Sequence, residues 1–352
     1  MEEKKKRARE IIEGYDGPPV RIMEVCGTHT HEIFRLGIRK LLPEQVELIS
    51  GPGCPVCVTQ VGFIDEAIYL ALERQVTICT FGDLVRVPGT NMSLAGARER
   101  GAKIRIVYSP VDAKEYAKEH PKEQVTFLSV GFETTTPSAC LSVKKAREEG
   151  LTNYSILTAN KTMPQAYEAL KGSADIFLYP GHVNAITGTK LCEELAKEGV
   201  SGVVAGFTAK ELLTALAVAL ARFQEGRPFF VNCYPRVVTE NGSPQAQKLV
   251  EEMMEPCDSE WRGLGVIKGS GMRLQEEWSA FDARKKYKIP LIQGKANPAC
   301  RCGDVLQGKC KPSDCKVFGK VCTPQHPIGA CMVSGEGACS AYYMYGEAEK
   351  MK

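Results

Sequence analysis

At 352 residues, and at roughly 100–200 residues per domain, the chain has room for two or three domains with substantial interiors. Hydrophobic residues make up 43% and charged residues 25%, a profile that excludes a disordered or fibrous chain. Lys and Arg number 45 against 42 Asp and Glu, a formal charge of +3, so no strong pull toward nucleic acid or an anionic membrane is implied.

The chain opens on Lys4-Lys5-Lys6-Arg7 set among Glu2, Glu3 and Glu10, the pattern of a solvated first helix. This start lacks the apolar core of a signal peptide, and no window reaches the roughly 18–20 uninterrupted apolar residues of a membrane span, so a cytoplasmic protein is expected. Short β-branched or apolar runs then predict strands at 19–25, 46–49, 76–80, 104–108, 125–130, 154–158, 176–179, 202–205 and 229–232. Helix-period stretches lie between them, including 32–42, 64–74, 210–223 and 243–254. This alternation predicts α/β architecture with parallel sheets and crossover helices. A polar, turn-forming break at Glu148-Glu149-Gly150 divides the strands. The expectation is two doubly wound domains, residues 1–147 and 148–282, followed by a small cysteine-rich domain at 283–352.

Fifteen cysteines are unusual for a chain in a reducing compartment, where they point to metal or redox chemistry before a disulfide framework. Seven fall in the tail: Cys300, Cys302, Cys310, Cys315, Cys322, Cys331 and Cys339. The tail is rich in Gly, Pro and Lys and has little apolar periodicity, so metal–thiolate bonds are a natural source of its stability. Paired C-x-x-C knuckles are absent there. A C-x-C start with wide spacings suits a [4Fe–4S] cluster, with cysteines left over for a nearby disulfide; a variant zinc ribbon is the alternative.

Further constellations lie at expected strand ends, where open α/β sheets bind ligands. Glu24-Val-Cys26-Gly-Thr-His29-Thr-His31-Glu32 puts a lone cysteine before a helix, with imidazoles nearby. Its rivals are a Cys/His nucleophile of hydrolase type and a buried cysteine with capping histidines. Gly51-Pro-Gly-Cys54-Pro-Val-Cys57 sets a C-x-x-C on a strand-to-helix turn, where unpaired N–H groups stabilise a thiolate; half of a zinc site is the alternative. Gly131-Phe-Glu133-Thr-Thr-Thr136 and Asn160-Lys161-Thr162 could add a carboxylate and an ammonium to the same cleft, against a reading as solvated caps. Gly181-His182-Val183-Asn184 reads as a cap. Neither a phosphate-binding G-x-x-x-x-G-K-[ST] loop nor a strand-linked G-x-G-x-x-G occurs, so nucleotide binding has no support. Cys79, Cys140, Cys192, Cys233 and Cys257 lie in or beside apolar runs and read as inert core thiols.

Taken in order, Cys26-Gly-Thr-His-Thr-His31, Gly51-Pro-Gly-Cys54-Pro-Val-Cys57, Gly131-Phe-Glu-Thr-Thr-Thr136 and Cys322-Thr-Pro…Gly329-Ala-Cys331-Met-Val-Ser…Glu336-Gly-Ala-Cys339 closely resemble the HypD family of hydrogenase maturation proteins. The likeness spans nearly the whole chain. It implies a scaffold that, with a small HypC-type chaperone, assembles the Fe(CN)2CO unit of [NiFe]-hydrogenase. Cyanide would come from a thiocyanate on HypE, itself charged by HypF. By the resemblance, Cys26 holds Fe(II) beside His29, and Cys54 and Cys57 form a redox-active pair; Glu133 is the candidate for positioning an incoming group. Cys300, Cys315, Cys322 and Cys339 are implied as [4Fe–4S] ligands, with Cys302 and Cys331 as the neighbouring pair, similar to the arrangement in ferredoxin:thioredoxin reductase. Cys310 has no counterpart and could stand in for Cys315. A thiol–disulfide oxidoreductase with a cysteine nucleophile, and a structural zinc protein, are the competing readings.

Overall fold

A computed structural model of the chain describes residues 2–346, with side chains from Arg7 onward, so the expected solvated face at Lys4–Lys6 lies outside the described side chains. All nine expected strands form: β1 (Val20–Glu24), β2 (Val46–Ser50), β3 (Thr77–Thr80), β4 (Ile104–Ile106), β5 (Val125–Gly131), β6 (Tyr154–Asn160), β7 (Ile176–Pro180), β8 (Ser201–Ala205) and β9 (Phe230–Asn232). They make two parallel sheets, one in the order β2-β1-β7-β8-β9 and one in the order β4-β3-β5-β6. Adjacent residues of one strand enter different cores: Ile22 and Leu178 face one side of the first sheet, Met23 and Phe177 the other. The second sheet divides Leu128 from Phe127 in the same way. Burial on both faces is why β3, β5, β6, β7 and β8, buried along their whole length, read as largely apolar runs rather than alternating ones.

The helix-period stretches become α1 (Glu2–Glu13), α2 (Gly27–Arg35), α3 (Pro55–Val58), α4 (Val61–Glu73) and further helices that include Ala209–Phe223 and Pro244–Met253. The helix expected at 32–42 is displaced. Helix α2 starts five residues earlier, at the end of β1, and Gly37 at φ 65° breaks the chain before a short 3-10 turn, Ile38–Leu41. The sequence reading also leaves out an antiparallel hairpin, β10 (Met254–Trp261) with β11 (Gly265–Leu274).

The boundary expected at 147/148 does not separate the sheets. It falls between β5 and β6, which pair in register from Val125↔Tyr154 to Gly131↔Asn160. The break at Gly150 is an ordinary helix C-terminus, with Gly150 at φ 69° donating its N–H to Arg147 O at 3.1 Å. The five-stranded sheet takes β1 and β2 from before the second sheet and β7, β8 and β9 from after it. The cysteine-rich tail is not a detached unit either: Cys302, Leu306 and Cys331 join the core that contains Cys54, Cys57 and Tyr179. Tyr342, on the tail helix Ala338–Tyr345, meets the ring of Phe34 on α2 edge-on at 5.3 Å. Among the described residues, no helix is long and apolar enough to cross a membrane.

Candidate functional site: a cysteine-lined cleft at the strand ends

In the five-stranded sheet, β1 lies between β2 and β7, the point where the strand order reverses, and Cys26 follows the carboxyl end of β1 there. Cys26 caps α2 in extended conformation, and its carbonyl accepts Thr30 N–H at 3.1 Å. Behind it stands a fully buried carboxylate. Glu24 accepts Thr30 Oγ1 at 2.7 Å, Arg39 Nη2 at 2.6 Å and Ser50 Oγ at 3.2 Å, tying the ends of β1 and β2 to the first turn of α2.

The C-x-x-C turn packs directly on this loop. Gly27 N–H donates to Gly53 O at 2.9 Å, and a Cβ on Gly27 would lie 3.1 Å from Cys54 Cβ and 2.7 Å from Glu336 Cβ, so only glycine lets three chain segments meet. Cys54 and Cys57 form a disulfide across the first turn of α3, with Cα atoms 5.2 Å apart, and Cys57 N–H donates to Cys54 Sγ at 3.2 Å. Both are buried. The other described cysteines are free.

Burial governs the chemistry of the lone thiol. It pushes Cys26 up to about 12, opposed by the Thr28 and His29 backbone amides and reinforced by the carboxylate of Glu336. His29 is pushed down to about 4 by burial, so it is neutral; its Nε2 donates to Gly206 O at 3.1 Å, at the end of β8. Its ring packs against Phe207, which also stacks on His182 at 3.9 Å and meets Tyr234 edge-on at 6.3 Å. His182 thus belongs to the wall of this site rather than serving only as a cap.

The tail closes the cleft from above. Thr28 Oγ1 donates to Glu336 Oε1 at 2.6 Å, and His31 Nδ1 pairs with Gly335 O at 3.0 Å. A cavity of about 560 Å³ opens beside these contacts, lined by Thr28, Pro55, Val56, Phe81, Thr135 and Glu336. It reaches the carboxyl ends of both sheets.

Glu133, after β5, is held by Met163 N–H at 2.8 Å, and burial raises its carboxyl to about 7. Lys161 does not join it in the cleft. Its Nζ is taken by Ser259 Oγ at 2.6 Å and Glu260 O at 2.7 Å on the hairpin, and burial lowers it to about 7. The unforeseen hairpin is what captures it. Asn160 likewise serves the sheet, bonding Ser129 and Thr136. Cys79, Cys140 and Cys192 are buried thiols that desolvation holds near 12.

In the tail, Cys300, Cys302, Cys315, Cys322, Cys331 and Cys339 line one narrow cavity walled by Val305, Val317, Phe318 and Met332. Cys310 faces a different cleft, with Arg21, Lys309 and Lys311. Interaction with the Cys300 and Cys331 thiols, with the Arg262 charge, pulls the Cys302 thiol well down, while Cys300 and Cys331 are pushed up. Among the described residues no three thiol, imidazole or carboxylate groups meet around one point. The donor set, soft sulfur on an apolar wall, suits an iron–sulfur cluster, whose ligands stand apart around a cube rather than around one ion.

The sequence alone did not reveal the roles of Glu24 and of the Thr28–Glu336 contact. Glu24 carried a signal, a carboxylate in a strand whose other residues are mostly buried; the Thr28–Glu336 contact arises from long-range packing.

Fold and site together define a paired-sheet α/β scaffold that gathers one lone thiol, one vicinal cysteine pair and a thiol-lined cavity around two sets of strand ends. Residues 2–346 match the sequence profile HypD, described as the hydrogenase formation hypA family. The chain is 42% identical over 347 residues to the hydrogenase maturation factor HypD of Cupriavidus necator, covering 95% of this chain and 92% of that one. It is 44% identical to the HypD of Rhodobacter capsulatus, covering 94% and 90%, and 43% identical to that of Escherichia coli, covering 94% and 90%. The chain belongs to the HypD family of hydrogenase maturation factors.

Proposed function

We propose that this chain is the scaffold on which the Fe(CN)2CO unit of [NiFe]-hydrogenase is assembled, in the cytoplasm, with iron as its cargo. Cys26 holds Fe(II) together with a thiol of a HypC-type chaperone, and cyanide arrives as a thiocyanate on HypE, charged upstream by HypF. The observation that carries this reading is the joining of the Cys26 and Cys54 turns by Gly27 N–H to Gly53 O at 2.9 Å, which sets a lone soft ligand beside a two-electron pair.

The chain's residues fit each task. Cys26 stays protonated while the site is empty of metal, because burial raises it to about 12; a bound cation displaces that proton, and the amides of Thr28 and His29 then steady the thiolate. His29, neutral and fixed by Gly206, fills the wall without adding charge. Reduced Cys54 and Cys57 give two electrons as they close to the disulfide. Cys300, Cys315, Cys322 and Cys339 would hold a [4Fe–4S] cluster, whose chemistry is one-electron supply, and Cys302 with Cys331, which line the same cavity and share a core with Cys54 and Cys57, would be the neighbouring pair.

Infrared spectroscopy of the anaerobically purified complex with the HypC-type partner tests the reading: cyanide and CO stretching bands are expected, and Cys26→Ala removes them. Turnover of a small disulfide by an iron-free protein lacking those bands would instead establish a thiol–disulfide oxidoreductase.

A further inference from the structure

The hairpin turn at Arg262-Gly263 touches both cysteine elements at once. Helix α3, Pro55–Val58, is a single turn, so its last carbonyls lack intrahelical partners. The hairpin supplies them. Thr59 and Trp261 form an antiparallel bridge, Arg262 N–H donates to Val58 O at 2.8 Å, and the guanidinium donates to Thr59 O through Nε at 3.0 Å and Nη2 at 2.8 Å. A cation at a helix C-terminus is favourable in itself. Thr59 is wholly buried and returns its own Oγ1 to Pro55 O at 2.8 Å, which closes the C-x-x-C turn on itself.

One residue further on, the same turn meets the tail. Gly263, at φ 84°, lies so close to the helix Cys302–Leu306 that a Cβ on it would stand 2.2 Å from Gly303 Cα, and a Cβ on Gly303 would stand 2.7 Å from Gly263 Cα. Gln307 Nε2, just past that helix, donates to Gly263 O. The turn is anchored by Trp261, fully buried and stacked on Phe132 at 5.8 Å, in the core that also holds Cys54, Cys57, Cys302 and Cys331. Cys331 needs no such bridge, because the short 3-10 turn Ala330–Met332 packs on α3 directly. Both members of the tail pair are thereby tied to α3, one by contact and one through the hairpin.

We propose that the Arg262-Gly263 turn is a bracket that holds the Cys302 helix in a fixed place relative to the C-x-x-C helix, making Arg262 and Gly303 positioning residues for electron passage between the two cysteine pairs. The inference rests on the reading of those pairs as one path. In the structure Cys54 and Cys57 are joined while Cys302 and Cys331 are free thiols, the reactant side of a thiol–disulfide exchange. As the exchange runs, Cys302 and Cys331 close an S–S bond and lose two electrons and two protons, and the Cys54–Cys57 bond opens and gains both, so nothing outside the chain is consumed. Such exchange is the attack of one sulfur on another, and a misplacement of about 1 Å costs a step of this kind up to about a hundredfold. With glycine on both faces of the contact there is no side chain to give way, so the backbone alone sets the spacing.

The test starts from the full-length protein, purified anaerobically and with both pairs oxidised, and adds one equivalent of tris(2-carboxyethyl)phosphine. Acid quenching at timed intervals, alkylation in denaturant and peptide mass then follow how the single dithiol distributes between Cys54/Cys57 and Cys302/Cys331. Wild type is expected to reach a constant distribution. Gly303→Ala is expected to reach the same one about tenfold more slowly, a loss of rate without a change of end point that general damage to the fold would not give. Arg262→Met slows the approach by a similar factor and also moves the end point, since a cation beside sulfur favours the thiolate. Arg262→Lys restores the end point but only part of the rate, because an ammonium does not reproduce the two-pronged contact with Thr59 O. A wild-type rate in either Gly303→Ala or Arg262→Met overturns the proposal, and should Gly303→Ala fail to fold, Arg262→Met decides alone. If wild type leaves the dithiol on whichever pair the phosphine first reduced, the reading of the pairs as one path fails and the bracket with it. If wild type redistributes and the variants match it, the bracket alone fails.

Discussion

Arg39 Nη2 lies 2.6 Å from Glu24 Oε1, an ion pair in which the Glu24 side chain is wholly withdrawn from solvent while that of Arg39 is 16% exposed. Breaking such a pair from one side leaves a buried charge behind. Arg39→Met is expected to cost roughly 3–5 kcal/mol in urea unfolding, and the double variant Glu24→Gln/Arg39→Met to recover part of it. A single variant within about 1 kcal/mol of wild type would show that Glu24 finds solvent when its partner is gone.

Gly27 is the meeting point of the cysteine turns and the tail. A Cβ there lies 2.8 Å from Glu336 O, a backbone atom that cannot step aside, so Gly27→Ala should destabilise by about 1–3 kcal/mol and separate Cys26 from its cover. Gly335→Ala is the control, since nothing lies within 4 Å of its Cβ position. Thermal melting compares the two, and equal midpoints would refute the crowding argument.

Glu336 covers Cys26 and also raises its thiol by charge. Glu336→Gln weakens both effects in the same direction. Alkylation of Cys26 by iodoacetamide, followed by peptide mass, is expected to run several-fold faster in this variant at pH 8; an unchanged rate would mean that access is controlled elsewhere.

Cys310 and Cys315 separate in the structure, one facing Arg21 and Lys311, the other lining the thiol cavity. Iron and acid-labile sulfide measured after anaerobic purification should therefore survive Cys310→Ser and fall sharply in Cys315→Ser. The reverse result would exchange their roles.

His29 and Glu133 pull stability in opposite directions with pH. Burial depresses His29 from 6.5 to about 4, so between these values the unfolded chain binds the proton and the native one does not; its contribution is present above 6.5 and lost as pH falls toward 4, at up to about 1.4 kcal/mol per pH unit. The carboxyl of Glu133 is raised from 4.5 to about 7, so its contribution is present below 4.5 and lost as pH rises through 7. The stability gap between wild type and His29→Gln should widen from pH 4 to 6.5, and that between wild type and Glu133→Gln should move the other way. Parallel curves in urea titrations would contradict both assignments.

The parallel strands were legible because β3, β5, β6, β7 and β8 are buried along their whole length and the others still read as short runs dominated by Val, Ile, Leu and Phe, although β4 and β9 are partly exposed. The hairpin was not, because Met-Glu-Pro-Cys-Asp-Ser-Glu-Trp alternates half-exposed and exposed positions with three acidic residues and a proline, and keeps its buried residues, Met254 and Trp261, at its two ends. Sheet membership was misjudged because which strands pair is decided by contacts some 150 residues apart, such as Ile22 with Ile176, and no local composition records them. Cys26, Cys54 and Cys57 stood out by residue type and by their place after strands. Their supports did not: Thr28 with Glu336 spans 308 positions, and Lys161 left the cleft for a hairpin the sequence had not revealed.

The interrupted layout of the five-stranded sheet has a consequence during synthesis. Met1 to Cys57 leave the ribosome with β1 and β2 finished, but the strands that flank and bury that edge, β7 and β8, begin only at Ile176 and Ser201. Through the translation of well over a hundred residues the nascent chain carries Cys26, Cys54 and Cys57 unshielded, a window in which oxidants and stray metal ions reach them before the native enclosure exists.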